Sequence, residues 1–403
     1  MLSRADNGVE VYVAELQSAR AARWATVVVF ATQGLLFASW TAHIPLVKAA
    51  LHLGDADLGM ALFGAPIGSL AAMLATGWLL PRLGSRRMVQ LCLLGYCATG
   101  WTVGLANSQL TLFAALVLWG AFQGSLDVSM NAQAVFVERQ MGKPIMSGFH
   151  ATWSLGAFVG VAIGAVAVAV GVPLAIQLVG LGVAVAASAG LATRVMVQDP
   201  PHHEDGPAAT GLRAWLHPVV LALGAIVLAG MLCEGAVADW SAVYLHESLG
   251  AAPSLAALAY AAYSAVMVAQ RLAGDRLLAR FAARTMLPIL AAIATVGMAA
   301  ALVVGNPLVA LVGFAALGFG VALVIPAAFT AAGRLPGIHA GAAVAAVSAI
   351  GWIGFVAGPP LIGHIAEAVT LPVALGLLPL MTCVMAITVR RSRLFAPVGP
   401  VGA

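Results

Sequence analysis

Long apolar stretches recur along the whole chain, and short polar or turn-forming stretches interrupt them. A helix needs about 20 mostly apolar residues to cross a bilayer. Twelve such stretches are found, at 23–48, 57–81, 87–106, 109–136, 147–171, 173–195, 217–245, 253–279, 285–304, 307–332, 340–366 and 371–390. Most connections are brief, such as "GVP" from Gly171 and "GNP" from Gly305. The exception is "QDPPHHEDGPAATGLR", Gln198 to Arg213, polar and proline-rich, which divides the stretches into six and six. The expected fold is an all-α membrane protein of twelve transmembrane helices in two pseudo-symmetric six-helix bundles. The expected division is an N-terminal segment at 1–22, a bundle at 23–196, a linker at 197–214, a second bundle at 215–392 and a tail at 393–403.

Composition excludes a soluble fold. The chain is 62% hydrophobic and 8% charged, with a mean hydropathy of +1.00, where soluble domains carry about 25% charged residues. Its glycines and prolines do not signal disorder, because both are more frequent in membrane helices. Cys92, Cys97, Cys233 and Cys383 all fall inside apolar runs and read as small packing residues rather than disulfides or metal ligands. The first 21 residues are mixed polar and lack the apolar core of a signal peptide.

Charge then orients the spans. With the N-terminus inside, Lys48 is the one basic residue left on the outer side. The others of the chain's 19, among them Arg271, Arg280, Arg284 and Arg390, fall on the inner side. Such asymmetry is the positive-inside signal, and a missed span would scramble it. The basic balance therefore reports topology, with both termini cytoplasmic in a bacterial inner membrane, and does not suggest nucleic acid.

The two halves echo each other. "GWLLPRLGSRRMV" from Gly77 follows span two, and "GDRLLARFAARTML" from Gly274 follows span eight. Aligned on Arg82 and Arg280, each reads arginine, large apolar, two small residues, arginine. Trp40 and Trp240 stand near the ends of spans one and seven. Internal repeats of this kind mark secondary transporters.

The stretch at Gly77, Arg82, Gly84, Arg86 and Arg87 resembles the signature of the major facilitator superfamily between its second and third helices, with Pro81 in the place of the usual acidic residue. More narrowly, "SWTAHIPLVKAALHLGDADLGMALFG", "LDVSMNAQAVFVER", "MSGFHATWSLGAFVG" and "ADWSAVYL" resemble the bacterial MosC-like, rhizopine-transport subgroup, related more distantly to the fucose permeases. His43 stands where many such relatives carry arginine. The resemblance implies that spans one, four, seven and ten line a central cavity. It also implies that the residues from Gly77 to Arg87 serve gating, and that an acidic residue on span four couples protons.

Polar residues inside the spans supply the candidate chemistry. Gln123, Asp127 and Asn131 are spaced by four and share one stripe of span four. Arg139 is twelve residues from Asp127, about 18 Å along a helix, too far for a helix-end ion pair. Glu234 and Asp239 lie on span seven, about 140° apart on an ideal helix. One of them is expected to face the cavity and the other a neighbouring helix, and Ser241 shares the face of Glu234. Carboxylates at such depth are costly and are tolerated mainly where they face a protein interior or a wet path. Asp127, Glu234 and Asp239 are therefore the proton-coupling candidates.

Gln33, Phe37, Trp40 and Thr41 form a stripe on span one whose amide and rings suit a sugar-like or cyclitol ligand; packing is the other reading. His150 and Trp153 are one turn apart on span five, where His150 would serve either a proton relay or the lining of a gate. With Gln123, Asn131 and Trp352, the residues Gln33, Phe37, Trp40, His150 and Trp153 complete the substrate-binding candidates. Gly156, Gly160 and Gly164 are spaced for close helix contact, and Gly358, Pro359 and Pro360 are expected to kink span eleven. His202, His203, Glu204 and Asp205 lack helical spacing and read as solvated linker.

No G-x-S-x-G, H-E-x-x-H or G-x-x-x-x-G-K-[ST] pattern occurs, so the chain does not read as an enzyme and a gradient must supply the energy. The expectation is a monomeric secondary transporter without cofactor or metal, moving a small polar solute by alternating access with protons, or sodium, as the coupling ion. A proton-driven exporter of hydrophobic compounds is the alternative. A transporter-like receptor or a polytopic enzyme is more remote, because the longest loop is too short for a domain.

Overall fold

The computed structural model describes residues 2–142, 145–198, 216–333, 335, 340–391 and 395. The linker with His202, His203, Glu204 and Asp205 lies outside the described residues, as does the tail after Arg391 apart from Phe395. Among the described residues every regular element is helical.

Twelve helices are long and apolar enough to cross a membrane: Ala19–Ala50, Asp55–Leu80, Ser85–Leu105, Gln109–Glu138, Gly148–Ala169, Leu174–Val195, Pro218–Ser248, Pro253–Gly274, Ala283–Val304, Pro307–Ala332, Ala346–Ala368 and Leu371–Arg391. These are spans one to twelve below, and they match the twelve read from the sequence. Local chemistry explains the boundary after span nine. Gly305 ends that helix in the left-handed region at φ 62°, which glycine adopts without a Cβ clash. Asn306 then caps span ten, its Oδ1 accepting from the N–H groups of Leu308 at 2.9 Å and Val309 at 3.3 Å, with Pro307 in the first turn.

Several helices depart from simple rods. The helix containing span one begins at Leu2 and runs to Ser39, so the mixed polar N-terminal segment continues the helix. Its Ala, Glu, Gln and Arg content suits that conformation. Beyond Trp40 the backbone tightens into a 3-10 turn, Thr41–His43, before a short helix, Ile44–Ala50. Pro45 there has no N–H to continue the ladder. Span seven ends in a π-helical turn, Tyr244–Ser248. Span eleven is one helix, Ala340–Ala368, through both Pro359 and Pro360.

Contacts divide the chain into two compact units. The first comprises Met1–Trp40, Gly64–Gly160 and Val170–Glu204. Spans one and five cross closely within it, because a Cβ on Gly156 would meet the Ala31 carbonyl and one on Gly160 the Leu35 carbonyl. The glycine spacing read from the sequence thus marks a backbone-to-backbone crossing. Spans two and four approach in the same way at Gly120, and Ser69 Oγ donates to the Gly120 carbonyl at 2.8 Å. Spans three and six are joined by Gln90 Nε2 donating to Thr193 Oγ1 at 3.3 Å. Trp119 stacks on Tyr96 at 5.0 Å and donates its indole N–H to the Tyr96 carbonyl at 3.1 Å, tying span four to span three.

The second unit comprises Thr41–Phe63, Val161–Ala169 and Asp205–Ala403. Its helices pair in the order of the first half. Gly354 of span eleven meets the Leu228 carbonyl of span seven, and Gly318 of span ten meets the Tyr263 carbonyl of span eight. Thr295 and Thr382 share a hydrogen bond of 2.9 Å between spans nine and twelve. The repeat that the sequence echoes at Arg82 and Arg280 and at Trp40 and Trp240 is therefore explicit in the packing partners.

This unit also holds Thr41–Phe63, the end of span one and the start of span two. Lys48 forms ion pairs with Asp55, at 2.6 Å, and with Glu247. Glu367 accepts from the Asp55 backbone N–H at 2.9 Å, and Gly59 packs against Pro359 and Gly363. The basic residue that topology left alone on the outer side is thus held by two carboxylates.

Replacement of Gly156 or Gly160 by leucine is expected to cost about 1–3 kcal/mol through overpacking and to lower the thermal unfolding midpoint of the detergent-purified protein. Gly148→Ala, at a position where a Cβ meets nothing within 4 Å, should leave the midpoint unchanged or raise it. Equal midpoints for all three variants would contradict the crossing.

Candidate functional site

Each unit carries its own polar cluster. In the first, Asp127 lies inside span four and is half-buried. Helical spacing places Asn131 one turn on, and its Nδ2 donates to the Asp127 carbonyl at 2.8 Å and to Oδ1 at 3.3 Å. Among the described residues, no cationic side chain comes within ion-pair distance of Asp127. The Arg139 side chain lies outside the described ones. Gln123, one turn before Asp127, is also half-buried. The stripe read from the sequence is therefore present as a polar strip with a carboxylate at its centre.

Spans one and five build a second group in this unit. The Trp153 indole N–H donates to Gln33 Oε1, and Phe37 lies 6.0 Å from the Trp153 ring. Gln33 is only 2% exposed, so its amide is held by the indole. His150 is exposed and meets Phe30 edge-on at 5.5 Å. Trp40 does not join the group. It is buried and packs edge-to-face on Trp119 at 6.4 Å, because the helix that would carry the Gln33 stripe onward ends at Ser39.

The residues from Gly77 to Arg87 form the end of span two and the start of span three. Among the described residues, a Cβ on Gly77 would meet nothing within 4 Å. Arg82 lies 3.8 Å over the Trp78 ring and donates to the Trp78 carbonyl, a cation–π contact within one helix. Among the described residues it has no carboxylate partner, as expected where Pro81 replaces the acid. Gly84 starts span three at φ 76°, a conformation that favours glycine. The Gln133 amide bridges this turn to the end of span six: it donates to Ser85 Oγ at 2.5 Å and to the Val197 carbonyl at 3.3 Å, and it accepts from the Val197 N–H at 3.0 Å. Arg86 is half-buried and Arg87 exposed.

In the second unit, Glu234 of span seven faces Arg271 of span eight at 3.7 Å, with side chains 18% and 17% exposed. The pair is loose, beyond hydrogen-bond length. Tyr260 lies within electrostatic reach of Glu234, Asp239 and Arg271, and Tyr263 stacks on it at 6.2 Å. Asp239 is half-buried and makes no hydrogen bond or ion pair among the described residues. Close by in sequence, Trp240 Nε1, Ser241 Oγ and Tyr244 OH are buried without hydrogen-bond partners among the described residues, as is Tyr263 OH. A buried polar group left without a partner costs about 1–3 kcal/mol. Trp352 is half-buried and meets Phe355 at 5.6 Å.

Arg271, Tyr260 and Tyr263 were not singled out from the sequence. Arg271 counted there only as an inner-side charge, whereas it falls within span eight, Pro253–Gly274. The signal was its place before Gly274 in an apolar run, since an arginine inside a span generally has a partner.

The comparisons agree with this architecture. The family model described as Major Facilitator Superfamily matches residues 25–340 and 240–400. An uncharacterized MFS-type transporter of Yersinia pestis is 33% identical over 361 residues, covering 90% of this chain and 93% of that one. The membrane protein MosC of Rhizobium meliloti is 31% identical over 353 residues, covering 86% and 84%. Among solved structures, a mutant of the nucleoside transporter NupG superposes with a TM-score of 0.73 at 13% identity, covering 91% of this chain and 98% of that one. A bacterial homologue of the lysosomal transporter Spinster, inward-facing and occupied, gives 0.67 at 15%, covering 91% and 93%. These last two likenesses show the fold. With twelve membrane-spanning helices and a family match along most of its length, this chain belongs to the major facilitator superfamily and is a multi-pass membrane transporter, not an enzyme.

Proposed function

We propose that the protein is a proton-coupled symporter of a small polar solute, a sugar, a cyclitol or a close relative, working by alternating access in the bacterial inner membrane with both termini cytoplasmic. The observation that carries the reading is Asp127: a half-buried carboxylate inside a span, hydrogen-bonded to Asn131, with no cation among the described residues beside it. Burial in low dielectric disfavours the charged form of a carboxylate, so such a group takes up a proton as its surroundings dry and releases it as they wet. Each proton entering contributes about 2.3 kcal/mol per 100 mV of membrane potential, which is enough to concentrate a neutral solute.

The lining chemistry supports a polar cargo. Gln123 and Asn131 offer amides, and Trp153 and Phe37 offer ring faces on which a sugar's C–H surface packs. Glu234 with Arg271 supplies a second charged element, and their separation, longer than a hydrogen bond, lets the Glu234 carboxylate turn to a substrate group. Asp239 is the further carboxylate in reach of Tyr260. Arg82, Arg86 and Arg87 act at the inner gate, where the Gln133 bridge couples the turn at Ser85 to span four, the helix that carries Asp127. The asymmetric placement of arginine and lysine supports the orientation.

In proteoliposomes with an imposed proton gradient, Asp127→Asn and Glu234→Gln should each lower accumulation of the solute about tenfold or more. Exchange of labelled solute at equal concentration on both sides should survive in Asp127→Asn. Candidate solutes come from a thermal-shift screen of sugars, cyclitols and small amines across pH. If both variants still accumulate solute against its gradient, the coupling assignment is wrong. Loss of lipophilic dye from cells, in place of solute uptake, would select the exporter.

A double-mutant cycle tests the pair. Arg271→Gln alone leaves Glu234 without its counter-charge and should be more destabilising than Arg271→Gln combined with Glu234→Gln, with a coupling of about 1 kcal/mol or more in thermal unfolding. Additive effects would show that the two side chains do not sense each other.

A further inference from the structure

Spans nine and twelve leave a groove of about 720 Å³ between them, at the end that is cytoplasmic in the proposed orientation. Its lining is sorted by chemistry. Arg284, Thr285 and Arg390 stand at the mouth, and the rest is apolar, with Ile289 and Ala292 on one wall and Ala386 and Ile387 on the other. Helical spacing produces this order, since residues three to four apart share a face. The alanines keep the slot open where longer side chains would fill it. Ile289 and Ile387 are 57% and 45% exposed, so the groove opens on the unit's flank.

The mouth is positively charged and, among the described residues, uncompensated. Arg284 and Arg390 are exposed, and neither has a carboxylate at ion-pair distance among the described residues. The helix of span nine starts beside Arg284 at Ala283, and its N-cap, Ala282, makes no side-chain hydrogen bond. The dipole of this helix adds partial positive charge at the same place. Two guanidinium groups above an apolar slot complement a molecule with an anionic phosphate head and an acyl tail. A free phosphate would use only the mouth. A zwitterionic lipid would bring its own cation against the arginines.

We propose that this groove is a binding site for an anionic phospholipid of the surrounding leaflet, its phosphate held by Arg284 and Arg390 and an acyl chain lying along Ile289, Ala292 and Ile387. Basic pockets between membrane helices are suited to such headgroups, and guanidinium pairs well with phosphate. The site is independent of the transported solute and of the carboxylates.

The test is native mass spectrometry of the full chain released from bilayers of equal phosphatidylglycerol and phosphatidylcholine with identical acyl chains. The unmodified protein should retain phosphatidylglycerol with a preference of about tenfold. Arg284→Gln with Arg390→Gln should abolish the preference, and Arg284→Lys with Arg390→Lys should keep most of it. Ala292→Phe, with both arginines intact, should lower lipid retention by blocking the slot. Arg20→Gln, an exposed arginine elsewhere, should behave as the unmodified protein, and inorganic phosphate should not displace the lipid. An undiminished preference in the double glutamine variant would overturn the proposal, as would full displacement by inorganic phosphate, or a loss in Arg20→Gln equal to that in the double variant.

Discussion

An ionised side chain at the depth of the hydrocarbon core needs a counter-charge, a set of hydrogen bonds or water, because no lipid group can supply them. The polar interior of this protein meets that constraint in three ways. Lys48 is held by Asp55 and Glu247 at the ends of the helices. Glu234 faces Arg271 at 3.7 Å, too far for a tight bond. Asp127 has Asn131 and, among the described residues, no cation. The first arrangement is fixed and suits structure. The second is longer than a hydrogen bond, and the third, on the proposed reading, leaves neutralisation to a proton. A transporter that couples to protons needs the last kind, because a carboxylate with a permanent counter-charge has no reason to change state.

The helices around these groups are also held by backbone crossings that do not involve them. Gly156 and Gly160 bring span five against the backbone of span one, and Gly354 brings span eleven against that of span seven. Without a hydrophobic driving force between helices in lipid, such close packing supplies the association energy. It also means that not every polar side chain is needed to join helices, although Gln90–Thr193 and Thr295–Thr382 do so. The unpartnered hydroxyls of Ser241, Tyr244 and Tyr263 fit that division of labour.

Properties that depend on one helix at a time were legible in the sequence. The twelve spans, the Asp127–Asn131 stripe and the close-packing glycines of span five all follow from length and period. Properties that depend on two helices were less so. Arg271 was visible as a charge, but its partner depends on the relative depth of spans seven and eight. Lys48 was visible as an outlier, but its acids come from residues 7 and 199 positions away. Trp40 fell on the right face by spacing, yet the helix stops one residue before it and the ring turns to Trp119. The Gln33–Trp153 bond lies between these cases: both residues were singled out, each on its own helix, and only packing shows that they bind each other.

The most direct measurement is infrared difference spectroscopy of the carboxyl C=O stretch in lipid, across pH and in heavy water. If Asp127 is the group that takes up and releases the proton, a protonated-carboxyl band should grow as pH falls, shift on deuteration and vanish in Asp127→Asn. A spectrum without any band lost in that variant, at every pH where transport runs, would show that Asp127 never changes its protonation state and would contradict the proposed coupling.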